Sequence, residues 1–273
     1  YESALTVDVD EAGKTVVLRE KSATTMLTGA TFDDGGIRGG LIRNECPRAN
    51  IITVLDGEYR ISDLTIESNA HGADDFEAYG ASIAAAGKSK VVVDNVTIDN
   101  VGAVCTAVDA VEKSEVLVMN SRIRTKGLDP DTCWADAMTE VPWVLGLKGS
   151  VRSTNVCDEA HATYYNCDMV SNGWGVLSTD DISEGAMHDI VNTRAVIEKD
   201  GIFDSGYVVY VLGKSRTKMF GVEMTSPDYP ITFGGNTHDI YIGSSARENL
   251  IRYLGADSLL ARETNGYADI APR

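Results

Sequence analysis

At 273 residues and 29.3 kDa the chain could be one long domain or two ordinary ones, and 43% apolar residues are enough for a continuous core. Aromatics reach only 7% beside 26 Gly and 6 Pro, a balance that favours strands and turns around a narrow interior over long helices. The net charge of −17 repels phosphate backbones and anionic lipid, which argues against nucleic acid and membrane surfaces as partners. No apolar run approaches the roughly 20 residues needed to cross a bilayer, so the chain is read as soluble.

Taken in chain order, residues 1–50 hold two alternating runs, at 5–9 and 15–18, and a Gly-rich stretch at Gly35, Gly36, Gly39 and Gly40. They read as an N-terminal cap with the first strands. From residue 51 one short pattern recurs, in Ser62-Asp63-Leu64-Thr65-Ile66, Asp94-Asn95-Val96-Thr97-Ile98, Met119-Asn120-Ser121-Arg122-Ile123, Tyr165-Asn166-Cys167-Asp168-Met169 and Val191-Asn192-Thr193-Arg194-Ala195. Aligned on Asp63, Asn95, Asn120, Asn166 and Asn192, the spacings are 32, 25, 46 and 26. Three of these suit a single structural repeat, and the 46 suits a repeat plus an insertion to which 151–160 is assigned. Residues 219–225 continue the series. Stacked at one turn, the Asn amides are expected to bond to one another and to satisfy a buried turn.

A second strand fits each repeat, at 79–87, 104–111, 142–147, 174–179, 207–212 and 229–233. Matching turns follow three of them, at Gly87-Lys88-Ser89, Glu112-Lys113-Ser114 and Gly213-Lys214-Ser215. Two strands and a tight turn per repeat, without a helical period, predict an all-β fold: a single-stranded right-handed parallel β-helix, or solenoid. The expected division is one domain over 1–273, with stacked coils at 51–245 and a C-terminal cap at 246–273 whose pattern over 246–263 is closer to helical. The five cysteines, Cys46, Cys105, Cys133, Cys157 and Cys167, form no C-x-x-C pair and read as small buried hydrophobes. The chain begins at Tyr1 without a signal-peptide pattern, which reads as a processed or trimmed product.

On this repeat style, over roughly residues 40–245, the chain resembles the pectin-lyase-like superfamily of right-handed β-helices. The resemblance implies a groove on the outer face of one stacked sheet, a carbohydrate-active role and an extracellular or cell-surface location. Asp180-Asp181 resembles the paired aspartates of polygalacturonase-like hydrolases, but here the pair follows its strand, and the Gly-His-Gly and Arg-x-Lys motifs are absent.

Parity supplies the groove. With Ile83, Val108, Val144, Val209 and Ile231 inward, Ala84, Asp109, Trp143 and Tyr210 point outward. Connections at 67–79, 125–141 and 199–206 would wall it. Hydrolysis needs one carboxyl as acid and another as base or nucleophile, and Asp109, Asp180 and Asp181 are the candidates, with His71 as a further acid or base. Trp143, Tyr210 and Tyr79 would stack on sugar rings, with Asp74 and Asp75 beside them. A lyase would need cations against a uronate carboxylate, and the groove strands carry none on their outward face; Ca²⁺ held by loop carboxylates could supply them. No cofactor motif occurs. The expected function is a hydrolase or lyase acting on a glycan. The alternatives are a non-catalytic adhesin or glycan-binding solenoid, or a small-molecule enzyme using the same groove. The expected partner is therefore a glycan or small-molecule substrate.

Overall fold

The computed structural model describes residues 3–19, 25–128, 151–173, 175–180, 182–198, 206–227, 230–234, 238–243, 252–254, 262–264 and 267–270. Every regular element among them is a strand. After residue 50 the chain lays down strands in threes. The first three sets are Asn50–Val54, Glu58–Ser62 and Thr65–Asn69; Ile83–Ala85, Lys90–Asp94 and Thr97–Val101; and Val108–Ala110, Glu115–Met119 and Arg122–Lys126. Three more follow: Thr154–Val156, His161–Tyr165 and Asp168–Ser171; Gly175–Ser178, Glu184–Val191 and Arg194–Ile197; and Tyr207–Val211, Lys214–Phe220 and Glu223–Thr225. Apart from the step between the fourth and fifth sets in stack one, each strand pairs in parallel with its counterpart in the next set, so successive sets pile into three stacks. Stacks two and three are nine-stranded sheets; stack one comprises a six-stranded and a five-stranded sheet, linked by the bridges Arg152–Gly175 and Val156–Thr179.

The recurring Asn has a backbone cause. Asp63, Asn95, Asn120, Asn166 and Asn192 all take left-handed φ, between 47° and 54°, at the corner between stacks two and three. That conformation costs most L residues about 1–2 kcal/mol, and Asn and Asp bear it best after Gly. Gly221, φ 66°, fills the same corner in the sixth set. The amides do form a partial ladder: Asn95 Nδ2 donates to Asp63 Oδ1 at 2.8 Å and Asn166 Nδ2 to Asn120 Oδ1 at 2.8 Å. Asn120 Nδ2 reaches Asp94 Oδ1 instead, at 3.0 Å. These side chains are exposed, so the expectation of a buried ladder is corrected. A buried polar row does exist, at the far end of stack three, as Asn44, Ser68, Asn100, Thr125 and Ser171. Within it, Asn100 Oδ1 accepts from Ser82 Oγ at 2.7 Å and its Nδ2 donates to the Thr106 carbonyl at 2.8 Å.

The Lys-Ser turns are as expected. Gly87, Glu112 and Gly213 carry positive φ, and Ser114 and Ser215 Oγ fold back onto the carbonyls of Val111 and Leu212. Inside, one aliphatic core runs through all the sets, and rows such as Ile61, Val93, Val118, Tyr164, Ile190 and Met219 stack along it. An adjacent interior row contains His188, fully buried and edge-on to Tyr164 at 5.6 Å, with no hydrogen-bond partner for either ring nitrogen among the described residues.

Two boundaries move. The counterpart of Val108–Ala110 in the fourth set is Thr154–Val156, so 151–160 belongs to the repeat and the insertion precedes it. The expected strand at 142–147 lies outside the described residues. Within the helical pattern expected at 246–263, the described residues are strands instead, at Arg252–Leu254 and Arg262–Thr264. Tyr267–Ile270 runs antiparallel to Ile231–Gly234, and Ser3–Val9 pairs antiparallel with Thr15–Arg19 beside Asn50–Val54. Antiparallel strands at both ends of stack one occupy edges that would otherwise offer free backbone groups.

Candidate functional site

The parity expected for stack one holds in part. Ile83, Val108, Val209 and Ile231 lie in the core as expected, but so do Ala107 and Val208, which the same alternation turns outward, and Val144 lies outside the described residues. Cross-strand pairing sets Thr53, Ala84 and Asp109 beside Asn155 on the other face, with Ser178 next to Tyr210 further along. The groove is where the expectation breaks down, because this outer face is covered. Residues 70–81 fold back over it. Asp74 Oδ1 accepts the backbone N–H of Phe76 at 2.8 Å, Asp74 bridges Tyr79, and Gly72 packs so close to Val104 that a Cβ would lie 1.8 Å from its carbonyl oxygen. Ala78 and Ala81, with Phe76, then pack on Ala84, Ala86, Val111 and Cys157 as a second small core outside the sheet.

Beneath this cover lies a buried ionic cluster. Arg152 Nε donates to Asp75 Oδ2 at 2.6 Å, and its Nη1 pairs with Asp180 Oδ2 and reaches Ser178 Oγ at 3.3 Å. The guanidinium lies 5.4 Å from the Phe76 ring centre. Asn155 Nδ2 donates to the Asp75 carbonyl at 2.7 Å, tying the loop to the sheet a second time. Asp109 accepts from Thr106 Oγ1 at 2.7 Å through Oδ2, while Oδ1 of Asp109 and Oδ1 of Asp75 have no hydrogen-bond partner among the described residues. Exposure is 0% for Arg152 and Asp109, 2% for Asp75 and 4% for Asp180. Burial, reinforced by the Asp75 charge, pushes the Asp109 carboxyl well above the usual range, against the Thr106 hydrogen bond and Arg152, which favours its protonated form. Burial works against the Arg152 cation, but Asp75 and Asp180 outweigh it and hold the guanidinium charged. Burial likewise pushes the Cys157 thiol up, helped by Asp180, which leaves it an inert thiol.

The structure thus gathers three of the predicted acids, Asp75, Asp109 and Asp180, around Arg152. Arg152 supplies the cation that the outward face was expected to lack. Tyr210 is buried at 3% exposure and stacks on Tyr207 at 5.6 Å, so it offers no open sugar platform. Asp109 is sealed rather than lining a groove. His71 lies in the covering loop, with Nδ1 facing the Ala103 N–H at 3.3 Å, away from the acids' hydrogen bonds. Asp74 is used in its own turn, and Tyr79 is 37% exposed. Trp143 and Asp181 lie outside the described residues. No group of three or more His, Cys, Asp or Glu side chains suited to a metal ion occurs among the described residues, so Ca²⁺ finds no ready cage there.

A different row is open to solvent. On the outer face of stack two, Met119, Tyr165, Val191 and Phe220 are successive cross-strand neighbours, with Tyr165 44% and Phe220 42% exposed. Two strand spacings separate the rings, about 9.5 Å. Each member except Phe220 directly precedes an exposed corner Asn, so the apolar row runs beside the amide ladder. On its other flank lie Thr163, Asp189 and Lys218; His161 Nε2 meets Asp189 Oδ2 at 3.0 Å and helps hold that carboxyl below its ordinary range. The signal for this row was present in the sequence, as the residue before each corner Asn.

No family model, curated protein or solved structure matches this chain. What it does is therefore argued from its own geometry.

Proposed function

We propose that the chain is a right-handed parallel β-helix that binds an extended glycan on its outer surface without turning it over. The observation that carries this reading is the sealing of Asp75, Asp109 and Asp180 around Arg152. Glycoside cleavage needs an acid and a base or nucleophile on either side of a substrate bond. Here Asp75 and Asp180 are spent on a buried guanidinium, and Asp109 is shut away from solvent. The cluster acts as a fastening that holds residues 70–81 against the sheet. Strand-by-strand stacking in threes, with short turns between stacks, supports the β-helix, and the near-universal handedness of parallel crossovers supports its right hand.

The Tyr165 and Phe220 rings beside the amide ladder suit a sugar chain. Apolar faces of the rings would meet sugar C–H groups, while Asn166, Asn192, Asp189 and Thr163 would meet hydroxyls. The test is a panel of neutral and acidic polysaccharides, with retention measured beside reducing-sugar release and absorbance at the wavelength of unsaturated products. Retention without product, weakened about tenfold or more by combining Tyr165→Ala with Phe220→Ala, is the expected result. Product that disappears in Asp109→Asn would overturn the reading in favour of a hydrolase.

A further inference from the structure

Stack three carries a notch that neither the buried cluster nor the aromatic row uses. It is a cleft of about 320 Å³ lined by Asp99, Arg124, Lys126, Val170, Asn172 and Glu198, among others. Its shape follows from side-chain length across the stack. Arg124 pairs across to Val170, and Val170 to Val196. One step along, the Asn172 N–H bonds the Thr125 carbonyl and the Glu198 N–H the Ser171 carbonyl, which places Asn172 between Lys126 and Glu198. The fourth set thus contributes short side chains, Val170 and Asn172, between long ones from its neighbours. Val170 and Asn172 are buried and form the floor, and Asn172 Oδ1 is fixed by the Gly127 N–H at 2.8 Å. The walls stand two strands apart, about 9.5 Å between backbones, less the reach of the side chains.

The walls have opposite charge. Arg124 and Lys126 stand on one side and Glu198 on the other, all three exposed. Elsewhere on this face charges pair off: Arg43 with Glu67 at 2.6 Å, and Asp168 with Arg122 at 3.7 Å and Arg194 at 2.7 Å. Arg124, Lys126 and Glu198 form no ion pair among the described residues, although Asp99 is the cross-strand neighbour of Arg124. A simple anion would meet Glu198, Asp99 and a chain of net charge −17. A simple cation would meet Arg124 and Lys126. A ligand bearing both charges satisfies both walls.

We propose that this notch binds a small peptide-like zwitterion, its carboxylate held by Arg124 and Lys126 and its ammonium by Glu198, over the floor of Val170 and Asn172. The inference is independent of the glycan reading, since it concerns another stack and another ligand. Its test uses the full chain and glycylglycine, followed by calorimetry and by chemical-shift changes of the residues in the notch. N-acetylglycylglycine keeps only the negative charge and glycylglycinamide only the positive. Each is expected to bind at least tenfold more weakly than glycylglycine, as loss of a charge-assisted hydrogen bond implies. Lys126→Gln and Glu198→Gln change exposed side chains and are expected to weaken glycylglycine to a similar degree, with unchanged melting. Equal binding of the N-acetylated dipeptide would mean a plain anion site and overturn the proposal. So would glycylglycine binding that survives both substitutions, or no shift in the notch at millimolar ligand.

Discussion

Replacing Arg152 by Leu deletes the cation that two buried carboxylates share. Asp75 and Asp180 would be left 2% and 4% exposed with no opposing charge, and Phe76 would lose the guanidinium that lies 5.4 Å from its ring centre. Removing one partner of a buried ion pair costs about 3–5 kcal/mol, mostly the penalty of the charge left behind. Here two charges are stranded, which places Arg152→Leu at the upper end of that range, a large fraction of the 5–15 kcal/mol typical of a folded domain. Urea denaturation followed by far-ultraviolet circular dichroism reads the loss as a lowered midpoint. Adding Asp75→Asn and Asp180→Asn to Arg152→Leu removes the stranded charges and is expected to recover most of it. A loss below about 1 kcal/mol for Arg152→Leu alone, within the range of exposed ion pairs, would refute the buried-cluster reasoning.

Two buried titratable groups give pH dependences of opposite sign. Asp109 is held protonated in the folded protein, whereas the unfolded chain releases that proton above a pKa of about 3.8. Stability should therefore fall as pH rises from about 4 towards the folded value. Asp109→Asn is expected to be more stable than wild type at pH 7, the gain closing below pH 4; a variant less stable at pH 7 would count against a neutral Asp109. His188 is lowered by burial from 6.5 to about 4, the Asp189 charge opposing and His161 adding to the shift. Between those values the unfolded chain takes up a proton that the folded one refuses, so wild type loses about 3 kcal/mol as pH falls through that window. The stability of His188→Leu relative to wild type, read from denaturation midpoints, should rise as pH falls from 7 to 4. Parallel curves would show that His188 is not held neutral.

Much of the fold was legible in the sequence because its corner is chemically demanding. A left-handed residue recurs at each turn between stacks two and three, and Asn or Asp meets it in five successive places, so the repeat announces itself at Asp63, Asn95, Asn120, Asn166 and Asn192. The same reasoning misjudged where the amides point, since left-handed backbone, and not burial, selects them. In the site, parity put Asp109 on the correct face, but an outward side chain is exposed only if nothing covers it. A cue was available: in the expected strands at 79–87 and 104–111, Ala84, Ala86, Ala107 and Val111 are apolar at positions that alternation turns outward, as in strands covered on both sides. Arg152 could not be placed, because its role depends on Asp75 and Asp180, 77 and 28 residues away, meeting beneath a loop. The apolar row from Met119 to Phe220 was hidden by scale, with one residue per repeat. The notch on stack three was hidden for the same reason, as side-chain length matters only between neighbouring sets.

Carbodiimide labelling of carboxyl groups in the native protein, mapped by mass spectrometry of peptides, tests the sealed cluster most directly. Exposed acids such as Asp63, Glu115 and Glu198 should label readily, while Asp75, Asp109 and Asp180 stay protected until urea unfolds the chain. Labelling of Asp109 and Asp180 at the rate of the surface acids would contradict the account and return the outer face of stack one to the status of an open, acid-lined groove.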